Sequence, residues 1–65
     1  MKFKQCDAVR ITVDCGEAVK KGEIGAVLMV FEEPQEAYEV EFLDDEGNPK
    51  GQYTLRPNDL ELAEF

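Results

Sequence analysis

Carboxylates and two cysteines are the side chains through which this sequence could do chemistry. The chain carries fifteen Asp and Glu residues and two cysteines, Cys6 and Cys15, but no histidine and no serine. A thiol nucleophile needs a neighbouring base, and histidine, the usual one, is missing. Carboxylate pairs can act as general acid and base, but among fifteen carboxylates some pairs lie close by chance, and so small a domain leaves little room for a pocket of about 300 Å³. We therefore predict no enzyme activity, no catalytic residue and no cofactor.

Neither the cysteines nor the acidic segments match a metal-binding pattern. Two thiolates without histidine are too few ligands for a structural zinc site. The stretch DDEGN at residues 44 to 48 is acidic like a calcium loop, but the alternating ligand position before it is Phe42, whose side chain has no oxygen. The two cysteines stand at opposite ends of a predicted strand, roughly 20 Å apart, whereas a disulfide needs Cα atoms about 4.4–6.8 Å apart. The sequence predicts no metal site and two free thiols.

Negative charge is concentrated in the later part of the chain. The net charge is −8: residues 1 to 21 hold five basic and three acidic groups, and residues 22 to 65 hold two basic and twelve acidic groups. Residues 32 to 46 contain eight acidic side chains and no basic one. Such a field repels a phosphate backbone, so we expect no direct nucleic-acid binding. The same field attracts a basic protein.

The acidic run suggests a docking surface for a basic partner protein. Its predicted acidic members are Glu32, Glu33, Glu36, Glu39, Glu41, Asp44 and Asp45. The preceding apolar run, through Val27, Met29 and Phe31, can supply the apolar centre that protein interfaces have, and we assign Met29 and Phe31 to the site. The alternative is a solvated face that keeps the protein soluble. If both faces of the apolar run are buried, the apolar centre is absent.

Period-two alternation of apolar residues predicts that five strands position these groups. In the first strand, Val9, Ile11 and Val13 share the apolar face. In the third strand, Glu39 and Glu41 lie opposite an apolar and aromatic face. The second strand, GAVLMVF, is apolar on both faces, so periodicity does not orient it. The predicted strands are residues 7–13, 25–31, 37–43, 51–55 and 60–65.

The first connection, DCGEAVKKGEIG, is long and rich in charge and glycine. Its segment GEAVKK has room for one helical turn. Gly22 is expected to have a positive φ, and Gly25 is expected where neighbouring atoms approach the backbone closely.

Proline marks the three later connections. EEPQE, with Pro34, suits a short hairpin loop. In DDEGNPKG, Pro49 fits the second position of a turn, with a glycine at positive φ. RPND, with Pro57, favours a single helical turn before the last strand.

These elements predict an all-β fold, a small five-stranded SH3-like barrel with a single helical turn before the last strand. A barrel hides the strand edges that an open sheet exposes, and an OB-like barrel usually needs a longer chain. The 65 residues make one domain, residues 1–65. No apolar run reaches the roughly 20 residues of a membrane span, and MKFKQCDAVR lacks the apolar segment of a signal peptide. We therefore expect a cytoplasmic protein.

Four segments carry a resemblance to a known family. They are FKQCDAVR at 3–10, KKGEIGAV at 20–27, AYEVEF at 37–42 and TLRPNDLE at 54–61. Together they resemble a group of short bacterial domains known only as a domain of unknown function. The K-G-x-x-G-x-V segment is similar to SH3-like barrels of the KOW and nitrile-hydratase-beta type. Cys6 stands where an aromatic residue is expected, and Met29 where a polar residue is expected.

The resemblance implies function as well as fold. The family includes small acidic proteins encoded beside toxin-like genes, which implies an antitoxin or immunity role against a basic partner such as a nuclease. The nitrile-hydratase likeness implies instead an accessory subunit that packs on a larger enzyme through the apolar second strand and the C-terminal LAEF. Self-association through a strand edge is a third hypothesis. KOW elements often contact RNA, but the negative charge argues against that here.

Overall fold

Five antiparallel strands and one short 3-10 turn make up the fold. The computed structural model describes residues 2–63. The elements are β1 (Ala8–Ile11), β2 (Ile24–Phe31), β3 (Ala37–Leu43), β4 (Pro49–Leu55), a 3-10 turn (Pro57–Asp59) and β5 (Leu60–Leu62). The strands form one sheet in the order β4-β3-β2-β1-β5. The predicted all-β class and the single turn before the last strand are confirmed. Across the described residues the sheet is open, with β4 and β5 at its edges, so the closed barrel is not shown.

One face of the sheet carries the core. On β3, Tyr38, Val40 and Phe42 are fully buried, as alternation along a strand predicts. The cluster they join also includes residues from the N-terminal segment, the first loop and the other four strands: Phe3, Val9, Ile11, Val19, Val27, Leu55 and Leu60. Residues of both edge strands, Leu55 of β4 and Leu60 of β5, therefore belong to one core.

The first strand is shorter than the sequence predicts. β1 ends at Ile11, and Val13, assigned to its apolar face, is 41% exposed. The chain leaves the sheet at Thr12, whose backbone N–H donates to the Asp59 carbonyl (2.9 Å) in the 3-10 turn. Val19 from the following loop is buried in the core.

The first loop has no helical turn. The bend at GEAVKK is closed by a hydrogen bond from the Cys15 N–H to the Val19 carbonyl (2.9 Å), which directs Val19 inward, so the predicted helical turn is wrong. Gly22 has φ +98°, as predicted. Gly25 packs against β3 so closely that a Cβ there would lie 2.7 Å from the Glu41 carbonyl oxygen, which confirms the predicted close approach.

β2 contains a bulge that reverses which face its side chains occupy. Val27 pairs with Val40, and the next paired residue, Met29, is opposite Glu39, so Leu28 is the extra residue. Val27 is 1% exposed and lies in the core, whereas Met29 is 54% exposed. Strict alternation would have put Val27 and Met29 on one face. Val27 is therefore removed from the predicted apolar centre.

The later connections follow the sequence with one exception. Residues 32–36 link β2 to β3, and the Glu33–Pro34 peptide is cis. The β3–β4 turn is closed by a hydrogen bond from the Gly47 N–H to the Asp44 carbonyl (3.0 Å), and Gly47 has φ +86°. Pro49 lies outside this turn and begins β4, because proline is tolerated as the first residue of a strand. The prediction that Pro49 occupies the turn is wrong.

Candidate protein-binding surface

The face of β2, β3 and β4 opposite the core brings together apolar and acidic side chains. We call it the outer face and define it by Met29, Phe31, Glu39, Glu41, Gln52 and Thr54. Cross-strand partners project from the same side of a sheet. Met29 is opposite Glu39, and Phe31 is opposite Ala37. Four of the predicted site residues thus share one surface: Met29, Phe31, Glu39 and Glu41.

Glu39 is held rigidly at the centre of the outer face. Its carboxylate accepts hydrogen bonds from Gln52 Nε2 (2.7 Å) and Thr54 Oγ1 (2.5 Å), both on β4. These two charge-assisted hydrogen bonds hold the Glu39 side chain in one rotamer. Gln52 and Thr54 are not among the site residues that the sequence predicts. The sequence pattern that could have identified them is the alternation of β4. Tyr53 and Leu55 face the core, so Gln52 and Thr54 lie on the opposite face.

Glu41 and Met29 are the less constrained members of the outer face. Glu41 is half-buried, with Ala26 of β2 on one side and Gln52 of β4 on the other. The small side chain of Ala26 leaves the Glu41 carboxylate open to a partner. Met29 is the most exposed of the large hydrophobic residues among those described, at 54%, and its flexible thioether can adapt to different surfaces.

At the hairpin tip, Glu36 differs from its two acidic neighbours. Glu32 and Glu33 are exposed. The Glu36 carboxylate accepts hydrogen bonds from the Tyr38 hydroxyl and from the Lys2 N–H (3.1 Å). The hydrogen bond from Tyr38 and then that from Lys2 lower the pKa of Glu36. Glu36 anchors the N-terminal segment, so little of its charge is free for a partner.

The turn carboxylates lie at the far end of β3 from the hairpin tip. Asp44 Oδ1 accepts hydrogen bonds from the N–H groups of Glu46 and Asn48, both at 2.9 Å, so its side chain builds the turn. Asp45 is exposed. β3 is seven residues long, which separates these groups from Glu32 and Glu33 by about 20 Å. The nine predicted residues therefore form three groups: the tip, the outer face and the turn.

An open groove lies between the hairpin tip and the end of β4. We call it the hairpin groove. Its volume is about 470 Å³, and its lining includes Phe31, Glu33, Pro34, Ala37, Leu55 and Arg56. A second groove of about 400 Å³ is lined by Lys2, Phe3, Lys4, Asp7 and Leu62. Both grooves are open to solvent, so neither encloses a ligand as the pockets of small-molecule sites do.

The cysteines are free thiols in different environments. Cys6 is exposed and Cys15 is partly buried. Burial, followed by the charges of Asp59 and Asp14, raises the pKa of the Cys15 thiol, which keeps it protonated and weakly nucleophilic. Residues 2–63 contain no group of three or more metal-ligating side chains that could hold an ion. No helix in this part of the chain is long and apolar enough to cross a membrane.

The chain matches a known protein family over most of its length. Residues 5–62 match the family model described as "Domain of unknown function (DUF4926)". The chain belongs to the DUF4926 family. The DUF4926 match begins just before β1 and ends with the last residue of β5, so it covers the whole sheet. It confirms the resemblance to a domain of unknown function. No curated protein and no solved structure matched the chain.

Proposed function

We propose that this DUF4926 protein is a non-enzymatic module that binds a basic protein through its outer face. The observation that carries the proposal is the bulge at Leu28, which turns Met29 onto the face of Glu39 and Glu41. An exposed apolar side chain beside fixed charges has the composition of an interface: an apolar centre with polar groups around it. Glu32 and Glu33 extend the negative charge at the tip.

The charge of the protein supports a basic partner. A net charge of −8 on 65 residues speeds the diffusional encounter with a positive surface and slows it with a negative one. In our proposal the partner is a cognate toxin, such as a nuclease, whose basic groove otherwise holds substrate phosphates. The resemblance to small acidic proteins encoded beside toxin-like genes supports this inhibitory role. We propose a cytoplasmic location, where thiols such as Cys6 and Cys15 stay reduced.

We also propose that the sheet curls into a partly open SH3-like barrel, in which the outer edge of β4 stays unpaired. The long first loop and the 3-10 turn before the last strand support this fold. So does the single core to which residues of both β4 and β5 contribute.

Charge reversal on the outer face tests the proposed function. The tagged protein is used to recover partners from its native cytoplasm, and the affinity of the recovered protein is then measured at low and high salt. The double variant Glu39→Lys, Glu41→Lys is expected to weaken binding about tenfold or more and to flatten its salt dependence. Glu46→Lys is the control, because it adds positive charge in the exposed turn at the other end of β3. Equal affinity of the double variant and the parent protein would reject the outer face as the docking surface.

The second candidate function is an accessory subunit that packs on a larger enzyme. The observation that favours it is the run of exposed apolar residues on β2, where Ile24 is 40%, Leu28 36% and Met29 54% exposed. The C-terminal LAEF is a weaker part of this surface: Leu62 is exposed but Ala63 is buried, and Glu64 and Phe65 lie outside the described residues. Under this function Met29→Lys abolishes association and Glu39→Lys has little effect. Loss of association on Glu39→Lys supports the acidic docking module instead, in which Met29→Lys also weakens binding because Met29 is the apolar centre of the outer face.

A further inference from the structure

We propose that the free edge of β4 receives an extended basic segment of the partner as a sixth strand. The inference rests on the proposed function, because it takes the same partner and the same outer face, and it specifies how the partner binds. Its three supports are the exposed edge itself, the two acidic side chains Glu39 and Glu41 on the neighbouring strand β3, and the groove at the end of the edge.

The edge of β4 is long and weakly protected. β4 has seven residues, and within the described sheet β3 is its only hydrogen-bonded neighbour. Exposed edges are usually short or blocked by proline, lysine or a bulge, because their free N–H and C=O groups pair with other chains. In β4 the blocking residues, Pro49 and Lys50, stand at one end only. The remaining five residues of β4, Gly51–Leu55, form an unblocked edge. The other edge strand, β5, is only three residues long.

The side chains beside this edge select a basic segment. A strand added to β4 lies about 4.8 Å beyond it, so its outer-facing side chains pass next to Gln52 and Thr54. Glu39 and Glu41 are one strand further in, about 10 Å from the added strand, which is within reach of an extended lysine or arginine side chain. Alternate lysine or arginine residues in the segment would point toward these two carboxylates.

The hairpin groove provides an anchor at the end of the edge. Leu55, the last residue of β4, lines it together with Phe31, Pro34 and Ala37. Its volume of about 470 Å³ accommodates a large apolar side chain, and Glu33 and Arg56 lie at its sides. Addition of a strand gives affinity through backbone hydrogen bonds, and a pocket for one side chain gives specificity.

Charge decides against a second copy of this protein as the occupant. Each copy carries a net charge of −8, so pairing two β4 edges would bring two acidic outer faces side by side. Such like-charge contact is unfavourable across an interface. A basic segment meets the same surface with opposite charge.

The test uses two synthetic ten-residue peptides, because the natural segment is not identified. The first alternates lysine and threonine and has leucine at each end. The second has the same side chains with every backbone nitrogen methylated, so it keeps the charge and cannot form a strand ladder. We expect the first peptide to bind at least tenfold more tightly and to slow amide hydrogen exchange within Gly51–Leu55. Gln52→Lys is expected to weaken this binding about tenfold, whereas Ala18→Lys, the same charge change in the exposed first loop, leaves it unchanged.

Three outcomes would overturn the sixth-strand inference. Equal binding of both peptides, weakened by Glu39→Lys, would leave the acidic docking function standing and reject strand addition. Failure of both peptides to bind at low salt would reject the basic segment, while recovery of a protein partner still tests the proposed function separately. Dimers in sedimentation, with Gly51–Leu55 protected from exchange without peptide, would show that a second copy occupies the edge.

Discussion

At the residue scale, Tyr38 anchors the N-terminal segment to the sheet. Its ring is fully buried and meets Phe3 edge-on, with ring centroids 5.2 Å apart. Its hydroxyl accepts hydrogen bonds from the N–H groups of Lys2 (3.0 Å) and Phe3 (3.1 Å) and donates one to Glu36. Burial, and then the hydrogen bond to the Glu36 carboxylate, raise the pKa of Tyr38. A single buried hydroxyl thus satisfies two backbone donors and orients one carboxylate.

The first prediction is that Glu36 stabilises the folded protein at neutral pH and less so at acidic pH. Its hydrogen bonds lower its pKa from the ordinary value of 4.5. The stabilisation is therefore fully present above about pH 4.5 and is lost as the pH falls through the lowered folded-state pKa. Glu36→Gln should unfold at a lower urea concentration than the parent protein at pH 7, with a smaller difference at pH 3. Urea titrations at the two pH values measure this.

Glu32→Gln is the matched control for that prediction. It removes the same charge from the same loop, where Glu32 is exposed and no described side chain or backbone group donates a hydrogen bond to it. Its urea midpoint at pH 7 should not fall below that of the parent protein. A Glu36→Gln protein that behaves like Glu32→Gln at both pH values would contradict the anchoring role of Glu36.

At the scale of the element, β2 contributes side chains both to the core and to the outer face. It pairs with β1 on one side and β3 on the other. Before the bulge its inward positions are Gly25 and Val27, which pack against β3. After the bulge Val30 is the inward residue and packs against the core, while Met29 and Phe31 lie on the outer face. One strand therefore contributes both to the core and to the candidate surface.

The second prediction is that Gly25→Ala destabilises the β2–β3 pair. A Cβ at this position would lie 2.7 Å from the Glu41 carbonyl oxygen, 2.8 Å from Val40 Cγ1 and 2.9 Å from Phe42 Cδ1. The carbonyl belongs to the β3 backbone and cannot turn away, so the strands must separate. We expect a loss of about 1–3 kcal/mol in the free energy of unfolding, as for other overpacked cores. Chemical denaturation measures it.

Gly51→Ala is the control for the glycine prediction. Its Cβ would meet atoms of the Tyr53 ring, the nearest at 2.6 Å. Tyr53 is only half-buried, so its ring can move aside. The loss of stability should be smaller than for Gly25→Ala, and an equal or larger loss would show that the Glu41 carbonyl is not the main obstacle.

At the scale of the whole molecule, charge opposes the compact state. Fifteen acidic and seven basic groups share a 65-residue chain, and the Cα radius of gyration is 10.9 Å. The described residues contain two ion pairs, Lys50–Glu23 at 2.6 Å and Arg10–Glu61 at 3.3 Å. Both involve acidic residues outside the run at 32–46, so no ion pair within residues 2–63 neutralises the charge of that run. The negative charge that would attract a basic partner therefore also lowers the stability of the folded protein when no partner is bound.

The third prediction is that added salt stabilises the protein. The screening length falls from about 30 Å at 0.01 M salt to about 3 Å at 1 M, which removes most of the repulsion among carboxylates. The melting temperature should rise over this range of sodium chloride, as measured by circular dichroism. The double variant Glu32→Gln, Glu33→Gln should start higher and rise less. A melting temperature that falls with salt would mean that the two ion pairs outweigh the repulsion.

The positions and class of most elements followed from the sequence because their signals are local. Alternation in β3, proline at the start of the 3-10 turn and glycine at position 22 each act through a few neighbouring residues. The same locality accounts for the errors. Val13 continues the alternation of β1, but the chain leaves the sheet to bond with the 3-10 turn, a contact between segments distant in sequence. Val19 lies in the core with residues of all five strands, and no local pattern in the first loop specifies that packing.

The acidic composition and the residues available for a binding surface were determined by the sequence alone. Only the tertiary structure decided which of them share a surface. β2 is apolar on both faces, so its local pattern is equally compatible with either orientation. The pairing with β3 and the bulge at Leu28 select one, burying Val27 and exposing Met29 beside Glu39. Hydrogen bonds across the fold likewise commit Glu36 to the N-terminal segment, because a carboxylate near a buried tyrosine hydroxyl is more stable there than in water.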